Sequence, residues 1–300
     1  MIQKDGSYIA PIVDHRKREK GVFVYPVYSR RSGGLSVGIN LFPDKKLCSF
    51  DCPYCEVFPF SSQAEFSPAH MEEDLASAIA AALGRNIPIR DICFSGNGEP
   101  TMSAYFPEAL ERAGRVRLEM VDAAGLVLIT NGSGLLDGRL FSLLRDAAVS
   151  TPALDIWLKL DAGTPEWYKK MNRSCLPFEK ITEKFKEFTA CAPVTIQTMI
   201  CAVDGEGPPE GEAQSWERLI LELVANAAAN RQGGAIRKVQ IYGKARPSPE
   251  DPIATALPTE FLDRRAVSLR ASFAKANDDA LAAAPAEALC ATIPKVEVYP

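Results

Sequence analysis

The chain gathers three thiols within eight positions, Cys48, Cys52 and Cys55, in the stretch LCSFDCPYCEVF. A C-x3-C-x2-C spacing offers soft sulfur ligands to a metal, yet it stops one short of the four that close a structural zinc site. His70 follows without a second histidine three to five residues on, so a finger-type zinc site fits poorly. A Cys-x-x-Cys redox pair would need neither Cys48 nor the surrounding loop. An iron–sulfur cluster with four irons and three protein thiolates accounts for the count, because one iron then stays open to a substrate or cofactor. A second stretch, FSGNGEPTM (94–102), reads on its own as a plain glycine turn, although Gly96 and Gly98 would let backbone approach a ligand closely and Glu99 offers a carboxylate.

Both stretches need a scaffold, and the pattern around them supplies one. Short apolar segments recur at 36–42, 89–95, 125–130, 154–160, 194–200 and 238–244. Helical patterns fill the gaps, among them MEEDLASAIAAAL, PEALERAG, RLFSLLRDAA, FEKITEKFKEF and WERLILELVANAAAN. Six βα units with right-handed crossovers make an α/β fold, either an open doubly wound sheet or an incomplete barrel. The later strands alternate: Asp155, Trp157, Lys159 and Asp161 share one face, Thr195, Gln197 and Met199 another, and Gln240, Tyr242, Lys244 and Arg246 a third. Parallel strands covered on both sides read as continuous apolar runs, so a curved sheet lining a wet lumen is expected instead. The three cysteines and the glycine stretch both follow strands, at the edge where such folds place their chemistry.

The C-x3-C-x2-C loop carries an aromatic before its last cysteine (Tyr54-Cys55), and G-N-G-E-P follows with Glu99 44 residues after Cys55 (99 minus 55). Together they resemble the signature of the radical S-adenosylmethionine (radical SAM) enzymes. The wording GINLFP…CSFDCPYC with SGNGEPT is most similar to the group that contains the wyosine-forming tRNA enzyme. That enzyme carries a second cluster on upstream cysteines, and no cysteine precedes Cys48 here, so its reaction is not carried over.

The resemblance implies a partial (β/α)6 barrel over residues 36–247, after an N-terminal arm or hairpin (1–35) and before a helical extension packing on the barrel (248–300). It implies a 4Fe–4S cluster on Cys48, Cys52 and Cys55. S-adenosylmethionine would be held by Tyr54, Gly96, Asn97, Gly98, Glu99, Pro100, Asn131, Lys159 and Asp161, although strand-end capping accounts equally well for the last three. Reductive cleavage would give methionine and a 5′-deoxyadenosyl radical that acts on an unidentified substrate, a small molecule or RNA. A flavodoxin or ferredoxin would supply the electron. Candidate substrate contacts are Gln197, Gln240, Lys244 and Arg246; the last two, one strand period apart, suit a carboxylate or phosphate, and a salt bridge at the barrel mouth suits them nearly as well. No catalytic side chain beyond these is named.

Composition narrows the alternatives. The formal charge of −4 gives no case for broad nucleic-acid binding, though HRKREK (15–20) or SRR (29–31) could hold a phosphate locally. The charged first twenty residues and the lack of any apolar run near ~18 residues lead to the expectation of a cytoplasmic protein with no membrane contact. Cys93, Cys175, Cys191, Cys201 and Cys290 have no mutual ligand spacing, and Cys93 reads as core. Two other functions stay open: an activase that installs a glycyl radical on a partner protein, and a non-catalytic iron–sulfur protein, which has little use for an open iron or for G-N-G-E-P.

Overall fold

The computed structural model describes residues 22–230, 233–283 and 293–300. The basic run 15–20, the first part of the N-terminal arm and Cys290 lie outside the described residues. The chain divides into two compact units.

Among the described residues, the first unit holds 22–48, 56–130 and 153–155. Its strands are β1 (Val24–Ser29), β2 (Gly34–Ile39), β3 (Ile89–Phe94) and β4 (Gly125–Thr130), side by side in that order. β1 and β2 form an antiparallel hairpin, whereas β2, β3 and β4 run parallel, as βα crossovers require. The crossover helices are α1 (Pro68–Leu83) and α2 (Phe106–Met120). Ser67 caps α1 by accepting from His70 N at 3.3 Å, and Pro68 fits the first turn, where no donor is needed. Met71, Leu75 and Ile79 then recur every four residues and are fully buried.

Among the described residues, the second unit holds 49–55, 131–152, 156–230, 233–283 and 293–300. It contains α3 (Gly138–Ser150), most of β5 (Leu154–Lys159), α4 (Pro165–Met171), α5 (Phe178–Thr189), β6 (Pro193–Ile200), β7 (Ala202–Val203), α6 (Glu210–Asn230), β8 (Ala235–Gly243), β9 (Ala254–Thr255), α7 (Thr259–Ala283) and β10 (Lys295–Tyr299). β5, β6, β8 and β10 pair in parallel in that order. All six strands expected from the apolar segments form, within a few residues at each end, and the terminal β10 adds one more parallel neighbour.

The polar face of this second group differs from the expectation. Lys159, Gln197, Gln240 and Glu297 share one register row across β5, β6, β8 and β10. Gln197 and Gln240 are completely buried, and Gln197 Nε2 donates to Gln240 Oε1 at 2.7 Å. Thr195 in the adjoining row is equally buried. The alternation forms, but these three side chains are buried rather than wet: the two amides pair across strands, and Gln240 Nε2 reaches Glu297 Oε2 at 3.5 Å.

Candidate functional site

In the first unit the glycine stretch closes against the residue that precedes Cys48. Leu47 forms a parallel bridge with Gly98: Leu47 N donates to Asn97 O at 3.1 Å, and Glu99 N donates to Leu47 O at 2.9 Å. A Cβ on Gly98 would stand 1.9 Å from Leu47 O, so only glycine admits this approach. The sequence assigned the freedom of Gly98 to a ligand; its close partner is the backbone of the cysteine loop's own stem. Gly96 has φ +127 and lies against Asn40, whose Oδ1 accepts from Phe42 N (3.1 Å) and Asn97 N (3.2 Å). The Asn97 amide donates to Phe42 O at 3.2 Å. The extra residue in G-N-G-E-P therefore ties the loop to the end of β2.

Glu99 is 3% exposed, and its Oε1 accepts from Thr101 N (3.2 Å), Thr101 Oγ1 (2.7 Å) and Thr130 Oγ1 (2.6 Å). Three donors on one oxygen fix the carboxylate in a single orientation. Pro100 opens the 3-10 turn Pro100–Met102 and is buried. Thr130, at the lip of β4, belongs to this group because of its bond to Glu99.

In the second unit the cysteine loop is clamped from several sides. Asn131 Nδ2 donates to Ser49 Oγ at 3.0 Å, Ser49 Oγ donates to Ser133 Oγ at 2.7 Å, and Ser174 Oγ donates to Ser49 O at 3.1 Å. Phe50 meets the edge of Tyr168 at 5.6 Å. Asp51 N donates to Asn172 O, and Cys55 N donates to Cys52 O, each at 3.0 Å. Asn131 thus acts on the loop itself.

Tyr54, Lys159 and Asp161 come together in one buried network. Asp161 accepts from Tyr54 Oη and Asn172 Nδ2 (3.0 Å) on Oδ2, and from Lys159 Nζ (2.8 Å) and Met199 N (2.8 Å) on Oδ1. Lys159 also donates to Tyr242 Oη and lies over the Tyr242 ring at 4.5 Å. With four donors on its two oxygens, Asp161 orients its neighbours. Burial pushes the Tyr54 hydroxyl up, and the Asp161 charge reinforces this. Burial opposes the Lys159 ammonium, but Asp161 and Tyr242 outweigh it and hold its pKa above the ordinary lysine value.

The donor chemistry decides whether the three cysteines suit a cluster. Cys48, Cys52 and Cys55 are partly exposed, and none is in a disulfide. Among the described residues no three His, Cys, Asp or Glu side chains are grouped to hold one metal ion. A cubane does not ask for that, since each thiolate binds a different iron. Burial, with the Asp161 charge second, pushes the metal-free Cys52 thiol up to about 12, so binding there replaces a proton by a cation.

The substrate residues are less uniform. β8 ends at Gly243, so Lys244 and Arg246 lie beyond the strand and the period-two argument does not extend to them. Lys244 Nζ donates to Asp251 Oδ1 (2.7 Å) and Arg246 O (2.8 Å), the ion pair that had been the alternative. Gln197 and Gln240 are paired as described above. Cys93 and Cys201 are buried, and Cys175 is exposed. Asn172 and Tyr242 were not singled out as site residues. Asn172 ends a short helix, α4, that the periodicity did not reveal, and its position after that helix is the one available signal.

No family model matches the chain. A protein designated UPF0026 from Helicobacter pylori is 31% identical over 131 residues, 43% of this chain and 41% of that protein. The chain thus spans less than half the length of this relative. Among solved structures, a radical SAM methyltransferase from Sphaerobacter thermophilus matches with a TM-score of 0.58 at 16% identity, over 92% of this chain and 69% of that one. The fold is that of the radical SAM enzymes. SuiB of Streptococcus suis, solved with S-adenosylmethionine, matches with a TM-score of 0.54 at 12% identity, over 85% of this chain and 48% of that one. The radical SAM fold is the α/β partial barrel expected from the sequence. No described helix is long and apolar enough to cross a membrane.

Proposed function

We propose that this chain is a radical SAM enzyme that holds a 4Fe–4S cluster on Cys48, Cys52 and Cys55 and cleaves S-adenosylmethionine reductively. The observation that carries this reading is the Leu47–Gly98 bridge, which joins the stem of the cysteine loop to G-N-G-E-P in one backbone ladder. The residue before Cys48 is thereby held to a stretch some fifty positions on in the chain (98 minus 47 is 51). When bound, the cluster supplies the electron that breaks the sulfonium bond.

The chain's own residues bind and orient. Glu99, fixed by Thr101 and Thr130, takes the methionyl ammonium through a charge-assisted contact, with the backbone of Gly96–Pro100 alongside. Tyr54 and Lys159 would be further contacts of the cofactor, and Asp161, which accepts from both, would hold them in place. Asn131 keeps Ser49, and with it the cysteine loop, in position. The substrate is a small molecule or RNA, and an external one-electron donor of flavodoxin or ferredoxin type feeds the site.

Anaerobic reconstitution tests the ligand assignment. About four iron and four sulfide per chain are expected, with the loss of both on changing Cys48, Cys52 or Cys55 to alanine. Zinc without sulfide would end this reading.

A further inference from the structure

We propose that Asn172 is a positioning residue for the cluster: its side-chain amide donates an N–H to Cys52 Sγ and raises the potential at which a cluster bound there accepts its electron. The inference rests on the reading above and adds a residue to it. Asn172 is 2% exposed at the end of α4. Its Nδ2 is 3.6 Å from Cys52 Sγ and 3.0 Å from Asp161 Oδ2, so the two amide protons have two acceptors. The assignment of nitrogen rather than oxygen to this position follows from the partner. As a carboxylate, Asp161 only accepts, and an amide oxygen turned toward it would meet a lone pair.

The backbone around Asn172 fixes the same geometry. Its carbonyl accepts from Asp51 N at 3.0 Å, and its own N–H donates to Tyr168 O at 2.8 Å. Asp161 is itself held by Tyr54, Lys159 and Met199 N. The Cys52 thiol proton is aimed weakly at Asn172 O, 4.0 Å away. Thiolate formation removes that proton and leaves the Nδ2 donor in place. A thiolate that accepts an N–H carries less charge toward iron, which favours the reduced, more negative cluster.

The test uses the full chain with its cluster reconstituted, in wild type, Asn172→Leu, Asn172→Ala and Ser174→Ala. Leucine keeps the approximate shape without a donor, and alanine is the smaller alternative if leucine is not accommodated. Ser174→Ala removes a neighbouring clamp on Ser49 but no donor to sulfur. Iron and sulfide are measured first, then the midpoint potential by a redox titration followed by electron paramagnetic resonance. Both Asn172 variants are expected to load iron and sulfide as wild type does. At a fixed potential their reduced-to-oxidised ratio should be about tenfold lower, a 59 mV fall for a one-electron couple, while Ser174→Ala stays at the wild-type potential. Unchanged potentials in the Asn172 variants would overturn the assignment. So would an equal shift in Ser174→Ala, or failure of both Asn172 variants to fold or load, since Asn172 would then be scaffold. A wild-type chain that binds no iron–sulfur cluster would instead refute the proposed function beneath it.

Discussion

Replacing Gly98 by alanine should uncouple the cysteine loop from the glycine stretch. The new Cβ would lie 1.9 Å from Leu47 O and 2.8 Å from Leu47 C, both backbone atoms that no side-chain rotation can clear. To reach even 3.0 Å from the oxygen, the Leu47 segment must retreat by 1.1 Å (3.0 minus 1.9). The Leu47 N to Asn97 O and Glu99 N to Leu47 O bonds, now 3.1 and 2.9 Å, then pass out of range. At about 0.5–1.5 kcal/mol net for each bond, the loss is about 1–3 kcal/mol. Urea unfolding of the metal-free chain would read it as a lower midpoint at unchanged slope, and iron retention after reconstitution should fall in parallel. Gly114→Ala is the control. That residue is inside α2 with nothing within 4 Å of its would-be Cβ, so alanine should stabilise the helix by about 0.5–1 kcal/mol. A Gly98→Ala chain with the wild-type midpoint and full iron would refute the reasoning.

Glu99→Gln should weaken S-adenosylmethionine binding while leaving the cluster intact, by about 1.5–3 kcal/mol for a hydrogen bond to a charged group; unchanged affinity by calorimetry would remove Glu99 from the site. Asp161→Ala should destabilise the chain by about 3–5 kcal/mol, because it strands the buried Lys159 ammonium, and equilibrium unfolding checks this. The same pair sets a pH dependence. Lys159 has a raised folded pKa, so its contribution is present at neutral pH and is lost only as alkaline pH rises through that value. In Asp161→Asn the loss should begin at lower pH.

The fold was legible where side chains follow a period that packing imposes. The six strands and the helices between them came from apolar recurrence, and the polar faces of β5, β6 and β8 came from alternation. What alternation could not tell was whether a polar face is wet, because Gln197 can donate to Gln240, and Gln240 to Glu297, where water would otherwise serve. Lys244 and Arg246 were placed by extending that period past Gly243, where the strand had ended. In the site, the cysteines and Glu99 were readable because their types and spacing are chemically unusual. Asn172 was not, since a buried asparagine's partners depend on the path of a short helix. The role of Gly98 was half legible: its freedom was evident, but the backbone that uses it, Leu47, appears only once the chain is folded.

The most direct test of the central claim is the anaerobic incubation of the reconstituted chain with S-adenosylmethionine and a strong one-electron reductant, analysed for 5′-deoxyadenosine and methionine. Wild type is expected to form both in equal amounts, in a reaction that needs the reductant and disappears in Cys48→Ala, Cys52→Ala and Cys55→Ala. A fully loaded wild-type cluster that leaves S-adenosylmethionine intact, or product that persists without the three cysteines, would contradict it.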